Sequence, residues 1–183
     1  MVILVIGGSG SGKSEYAESR CMQFCQGEKL YIATMEPYGK EGQARIARHH
    51  RLRQGKGFDT LECYTHLEEA AVPAGKTVLL ECMSNLTANE LFSPTGRKEA
   101  AAEVIGEGVR RLIRLAGHTV IVTNEVFSDG MTYDAETEHY RAVMAQVNRD
   151  IARLADEVIE VVHGIPAFVK GGGNTAAWED GKR

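Results

Sequence analysis

A lysine and a serine at the end of a glycine-rich run, a glutamate closing an apolar strand, and a histidine between arginines offer most of the chemistry in this sequence. Lys13 and Ser14 complete the run Gly7-Gly8-Ser9-Gly10-Ser11-Gly12-Lys13-Ser14, which fits the pattern G-x-x-x-x-G-K-[ST] in full. Glycines in such a loop let backbone N–H groups turn inward around a β-phosphate without Cβ clashes. Lys13 is expected to reach the β- and γ-phosphates, and Ser14 to ligate Mg²⁺. A bare glycine-rich turn would need neither residue, nor the apolar strand before the run and the helix after it. The pattern therefore calls for a nucleoside triphosphate.

Glu81 ends the apolar run Thr77-Val78-Leu79-Leu80. A carboxylate at the end of a buried strand is where a phosphate-loop protein holds or orients Mg²⁺, although Asp is the commoner residue there. The other reading is an exposed strand-end glutamate. The third element is basic: Arg45, Arg48, His49, His50, Arg51 and Arg53 crowd into nine residues of an otherwise acidic chain. On a helix Arg45, His49 and Arg53 share one face. Arginines there could hold phosphoryl oxygens and keep the imidazole in its neutral, nucleophilic form. Spacing alone fits a solvated basic face with two incidental histidines slightly better.

These residues must be positioned by alternating strands and helices. Val2-Ile3-Leu4-Val5-Ile6 reads as a buried strand, and Ala17, Cys21 and Phe24 then mark one face of a helix capped near Gly27. Strands are expected at 30–34, 60–64, 77–81, 119–123 and 158–162, with a short edge strand at 167–170. Helices are expected at about 41–53, 67–71, 84–92 and up to about Ala116. A further helix carries Tyr140, Met144, Val147, Ile151 and Leu154 on one core-facing stripe. Gly106 and Gly108 weaken the long helix before Ala116. Asn85 and Asn89 fall near the site. Asn124-Glu125 follows a strand, at the edge where ligands bind in open α/β sheets. The pattern predicts one α/β domain over residues 1–170, of the P-loop NTPase type, with a mainly parallel sheet covered by helices on both faces. Residues 171–183 read as a disordered polar tail.

At 183 residues the chain is long enough for one substantial core. A net charge of −4 argues against general nucleic-acid binding. No segment has the length or leader of a membrane span or a signal peptide. Cys21, Cys25, Cys63 and Cys82 lack zinc-site spacing, so they read as small buried hydrophobes and free thiols, as in the cytoplasm. No Asp-x-x-Gly or Asn-Lys-x-Asp element of a nucleotide switch is present.

Together these stretches resemble the bifunctional adenosylcobinamide kinase / adenosylcobinamide-phosphate guanylyltransferase family of cobalamin biosynthesis. The likeness runs from Met1 to about Lys170. It rests on the phosphate loop, Tyr31-Ile32-Ala33-Thr34, Arg45-Ile46-x-x-His49, and Leu79-Leu80-Glu81-Cys82 with Asn89. Thr123-Asn124-Glu125-Val126, Arg141, Asn148 and Ala155-Asp156-Glu157-Val158 complete it. The Arg-Ile-x-x-His block and the Asn-Glu-Val stretch are its most specific parts.

The resemblance implies phosphorylation of adenosylcobinamide by GTP or ATP, then transfer of GMP from GTP to adenosylcobinamide phosphate through a GMP-histidine. It places the nucleophile on His49 and reverses the reading from spacing alone. It implies a nucleotide-binding set of Gly7 to Ser14, Thr34, Arg45, Arg53, Glu62 and Glu81, with Mg²⁺ on Ser14 and Glu81. A homo-oligomer is implied, with apolar surface for the corrin completed by a neighbouring subunit. The sequence departs from the family's glycine-rich and arginine-rich pattern after Val126: Phe127-Ser128-Asp129-Gly130-Met131-Thr132 and Glu136-Thr137-Glu138 stand there instead. That region borders the acceptor. A small-metabolite kinase with no covalent histidine step is the alternative.

Overall fold

The computed structural model describes residues 1–25 and 28–171, apart from the side chains of Glu41, Arg45 and Leu52. The expected cap at Gly27 and all but the first residue of the expected tail lie outside the described residues. The elements alternate as β1 (Val2–Gly7), α1 (Lys13–Phe24), β2 (Lys29–Ala33), α2 (Gly39–Arg53) and β3 (Phe58–Glu62). There follow β4 (Thr77–Glu81), α3 (Met83–Phe92), α4 (Ala101–Leu115), β5 (His118–Asn124), α5 (Ala135–Leu154), β6 (Glu157–Val162) and β7 (Ile165–Lys170). Single 3₁₀ turns at Leu67–Glu69 and Lys98–Ala100 complete the list.

All seven strands form one sheet in the order β3-β2-β4-β5-β1-β6-β7. The strands β1 to β6 run parallel, and β7 returns antiparallel to β6. This is the expected α/β fold, closed at one edge by a hairpin. Parallel strands buried on both faces read as unbroken apolar runs, and the two faces separate by alternation. Leu4, Ile32, Leu80 and Ile121 face a core built with α3, α4 and α5. Ile3, Val5, Leu79, Val120 and Ile159 face a smaller core with Tyr16, Ala17 and Cys21 of α1.

Several boundaries differ from the sequence reading for local reasons. The third strand starts at Phe58 rather than residue 60, because Lys29 pairs with Phe58 in the register that Ala33 and Glu62 complete. The helix expected at 67–71 is one 3₁₀ turn, ended where Ala70 N–H bonds to Leu67 O. Leu154 is 43% exposed and leaves the core stripe of α5, whose Met144, Val147 and Ile151 are buried.

Gly108 has a packing role that outweighs its low helix propensity. A Cβ there would lie 2.8 Å from Leu67 Cβ and 2.9 Å from Glu68 N, so α4 touches the 3₁₀ turn through a bare backbone. Gly108→Ala would gain about 1 kcal/mol of helix propensity but overpack a core contact at about 1–3 kcal/mol. A lower urea midpoint is expected; a raised midpoint would show that the turn yields freely.

Candidate active site

The site lies at the carboxyl end of the sheet, where β1, β2 and β4 deliver the phosphate loop, Tyr31 and Glu81. The loop turns sharply against the β6–β7 hairpin. A Cβ at Gly7 would meet Ser11 Oγ at 2.5 Å and Val161 O at 2.7 Å. Gly12 has φ +90°, and a Cβ on it would reach Gly164 Cα at 3.2 Å. Both positions need glycine for these reasons. Ser11 O accepts from Gly164 N–H at 2.7 Å, and Glu125 N–H donates to Gly7 O at 3.1 Å. Lys13 is buried, and its ammonium donates to Gly8 O at 3.0 Å, folded along its own loop.

Glu81 is the centre of the arrangement. Ser14 Oγ donates to its Oε1 at 2.5 Å, and the Tyr31 hydroxyl donates to its Oε2 at 3.0 Å. Burial, then the charge of Glu81, pushes the Tyr31 phenol well above its ordinary pKa, so it stays a hydrogen-bond donor. The same Oε2 lies 3.9 Å from His49 Nδ1, a buried atom without a hydrogen-bond partner among the described residues. The phosphate loop and the basic helix thus meet on one carboxylate. Ser14 and Glu81 also put two hard oxygen donors side by side, a donor set that suits Mg²⁺.

Arg53 anchors the basic helix. It is the one buried side chain among the described residues of α2, which is otherwise partly or fully exposed. Its guanidinium sits 3.3 Å above the Tyr31 ring centroid, in stacking contact. Its buried Nη1 has no hydrogen-bond partner among the described residues and lines the cleft with His49, His50 and Glu81. A buried guanidinium with a spare donor suits a phosphoryl oxygen. The side chain of Arg45, the third member of the expected stripe, lies outside the described residues.

The other expected residues are placed as follows. Glu62, at the end of β3, lines the cleft and accepts from the Tyr64 hydroxyl at 2.9 Å. Thr34 lines it too, but its hydroxyl is engaged by the chain after β4, donating to Cys82 O at 2.8 Å and accepting from Cys82 N–H at 2.6 Å. Asn85 lines the cleft, and Asn89 ties its walls together by donating to Thr34 O and Tyr64 O. Glu125 turns onto the following loop, accepting from Phe127 N–H and Ser128 Oγ. Arg141 braces that loop at Phe127 O and pairs with Glu138.

Sequence reasoning missed the role of Tyr31 and a network behind Glu81. Asn124 Nδ2 donates to Ser84 Oγ at 2.6 Å, Ser84 Oγ meets Cys82 Sγ at 2.8 Å, and the Tyr140 hydroxyl reaches Ser84 O at 3.3 Å. A tyrosine within an otherwise aliphatic strand was the available signal for Tyr31. The network has no local pattern, because its members come from three elements.

Known proteins resemble this chain over most of its length. Residues 3–169 match the model of the family described as cobinamide kinase / cobinamide phosphate guanyltransferase. The bifunctional adenosylcobalamin biosynthesis protein CobU of Escherichia coli K12 is 35% identical, with 93% of this chain aligned to 100% of that protein. The protein of the same name from Salmonella typhimurium LT2 is 34% identical over the same shares. With its phosphate loop and basic helix converging on Glu81 and a family match over nearly all the described residues, this chain belongs to the cobinamide kinase / cobinamide phosphate guanyltransferase family.

Proposed function

We propose that this protein phosphorylates the aminopropanol hydroxyl of adenosylcobinamide with GTP or ATP, and transfers GMP from GTP to the resulting phosphate through His49. The observation that supports this most is the sharing of Glu81 by Ser14 and His49. One carboxylate can then serve both a phosphate-loop phosphorylation and a histidine-centred transfer. Ser14 and Glu81 would hold Mg²⁺, which when bound would neutralise charge on the β- and γ-phosphates. Lys13 swings from Gly8 O to those phosphates.

In the transfer, His49 Nδ1 turns its hydrogen to Glu81, which leaves Nε2 with the free lone pair. Such contacts are often long without substrate and tighten in the complex. Nε2 attacks the α-phosphorus, and the α–β bridging oxygen takes the electron pair and leaves with pyrophosphate. An oxygen of the acceptor phosphate then attacks the same phosphorus, and the N–P bond breaks back to His49. Arg53 offers its spare donor to the charge on the α-phosphate.

Exposed Met131 and Tyr133, on the loop beyond β5, supply apolar surface for the corrin. The exposed face of α2 is one that a neighbouring subunit of a homo-oligomer would cover. Four free cysteines suit the cytoplasm. No helix among the described residues is long and apolar enough to cross a membrane.

The test is incubation with Mg²⁺ and GTP labelled at the α-phosphate, followed by peptide mapping. Acid-labile, alkali-stable label on His49 is expected. Label on His50 would overturn the assignment. In a parallel incubation with cobinamide and γ-labelled GTP, transfer of γ-label to cobinamide, with no α-label on protein in the first, would reduce the function to the kinase alone.

A further inference from the structure

A second constellation lies beyond the cleft wall. His66 and Glu68, at the 3₁₀ turn, and Glu90, near the end of α3, bring one ligand atom each to within 4.8 Å of one another. Glu90 is fully buried, and its two oxygens accept from His66 N–H at 2.6 Å and Arg97 N–H at 2.9 Å. Both of these donors are backbone N–H groups, and a buried carboxylate costs free energy unless it is hydrogen-bonded and paired.

The His66 ring is oriented from its far side. Its Nε2 lies 2.7 Å from Thr95 O. A carbonyl only accepts, so Nε2 carries the hydrogen. In the neutral ring Nδ1 is then a lone pair. It is buried with no hydrogen-bond partner among the described residues, and faces Glu68 Oε1 at 3.4 Å. Glu68 Oε2 is also buried and unpartnered. A lone pair set against carboxylate oxygens is repulsive unless a proton or a metal cation lies between them, and His66 Nδ1, Glu68 and Glu90 converge closely enough for a metal cation. Arg97, the arginine beside Glu68, stands 3.6 Å away, is nearer Glu69 at 3.1 Å, and has a side chain 45% exposed. A ligating histidine ordinarily donates its other ring N–H to a carbonyl or carboxylate, as His66 does here.

We propose that His66 Nδ1, Glu68 and Glu90 form a binding site for a first-row divalent cation of the Zn²⁺ kind, separate from the Ser14–Glu81 pair. One imidazole and two carboxylates suit Zn²⁺ better than Mg²⁺, which prefers oxygen ligands alone. Tetrahedral ligands on bonds of about 2.1 Å stand roughly 3.4 Å apart. The Glu68 carboxylate closes that gap, since His66 and Glu90 are already fixed by hydrogen bonds. The bound cation pins the 66–69 turn to α3. Because Asn89 binds Tyr64 O and Thr34 O, the same clamp stiffens the wall of the nucleotide cleft.

The test titrates Zn²⁺ into tag-free protein, without nucleotide or Mg²⁺, against a chromophoric chelator. Wild type and His49→Ala are expected to hold one equivalent. Glu68→Gln and His66→Asn should bind at least about tenfold more weakly, a loss that even an outer partner of a metal site can cause. Asn suits the left-handed backbone at His66, where φ is +57°. Zn²⁺ should raise the unfolding temperature of wild type but not of Glu68→Gln, which carries the test alone if His66→Asn does not fold. Uptake by Glu68→Gln equal to wild type, loss in His49→Ala instead, or no retained Zn²⁺ in wild type would each overturn the site.

Discussion

His49→Ala is expected to abolish α-phosphate labelling from GTP and GMP transfer to cobinamide phosphate, while γ-phosphoryl transfer to cobinamide stays within about tenfold of wild type. Removing a covalent nucleophile costs on the order of 10⁴-fold or more in the step it serves. The sparing of the kinase follows from the geometry. Ser14 and Tyr31 hold Glu81 through their own hydrogen bonds, neither of which passes through His49. Lys13 depends on its loop. Parallel assays with α- and γ-labelled GTP separate the two outcomes. His50→Ala serves as the control. His50 is exposed and lines both the cleft and a shallow groove against β3, so its loss should leave labelling intact. Equal loss of both activities in His49→Ala would show that the ring supports the site as a whole rather than carrying GMP.

Glu81→Gln should instead slow both reactions, each by on the order of 10²–10³-fold, the usual cost of losing one preorganised electrostatic group. The substitution nearly preserves shape but removes the charge. Ser14 would keep an acceptor only if the amide oxygen faced it, and then the amide nitrogen would confront the Tyr31 hydroxyl, itself a donor. His49 would lose the carboxylate that orients Nδ1. Loss of the kinase alone, with normal labelling of His49, would mean that the histidine finds its geometry elsewhere, through α2 and Arg53.

The parts of this site that could be read from sequence were the local ones. Strand, glycine loop and helix follow one another within the first residues of the chain, so their chemistry is written in adjacent positions. Glu81 was legible because a buried strand announces its own end. Tyr31 was not, since its partner lies 50 positions away and the two meet only when β2 and β4 pair Ala33 with Glu81. Spacing could not choose between His49 and His50, because which of them faces Glu81 depends on how α2 packs on the sheet, where Arg53 stacks on Tyr31. His66 and Glu90 escaped notice for the same reason, being joined through a backbone N–H across 24 positions. Gly108 looked like a flaw in α4 until the turn it admits was in view.

The hydrogen bond from Gly164 N–H to Ser11 O bears on the order in which this protein is made. β1 lies between β5 and β6, and the loop after it rests on the turn at Gly164, between β6 and β7. Long-range pairing of this kind completes late. A polypeptide that has not reached Gly164 already carries the whole glycine motif, yet its cradle lacks the brace that Gly164 N–H supplies. Fragments from translation interrupted before Gly164 would therefore bear the motif without that brace. The braced loop is a property of a chain that extends through Gly164.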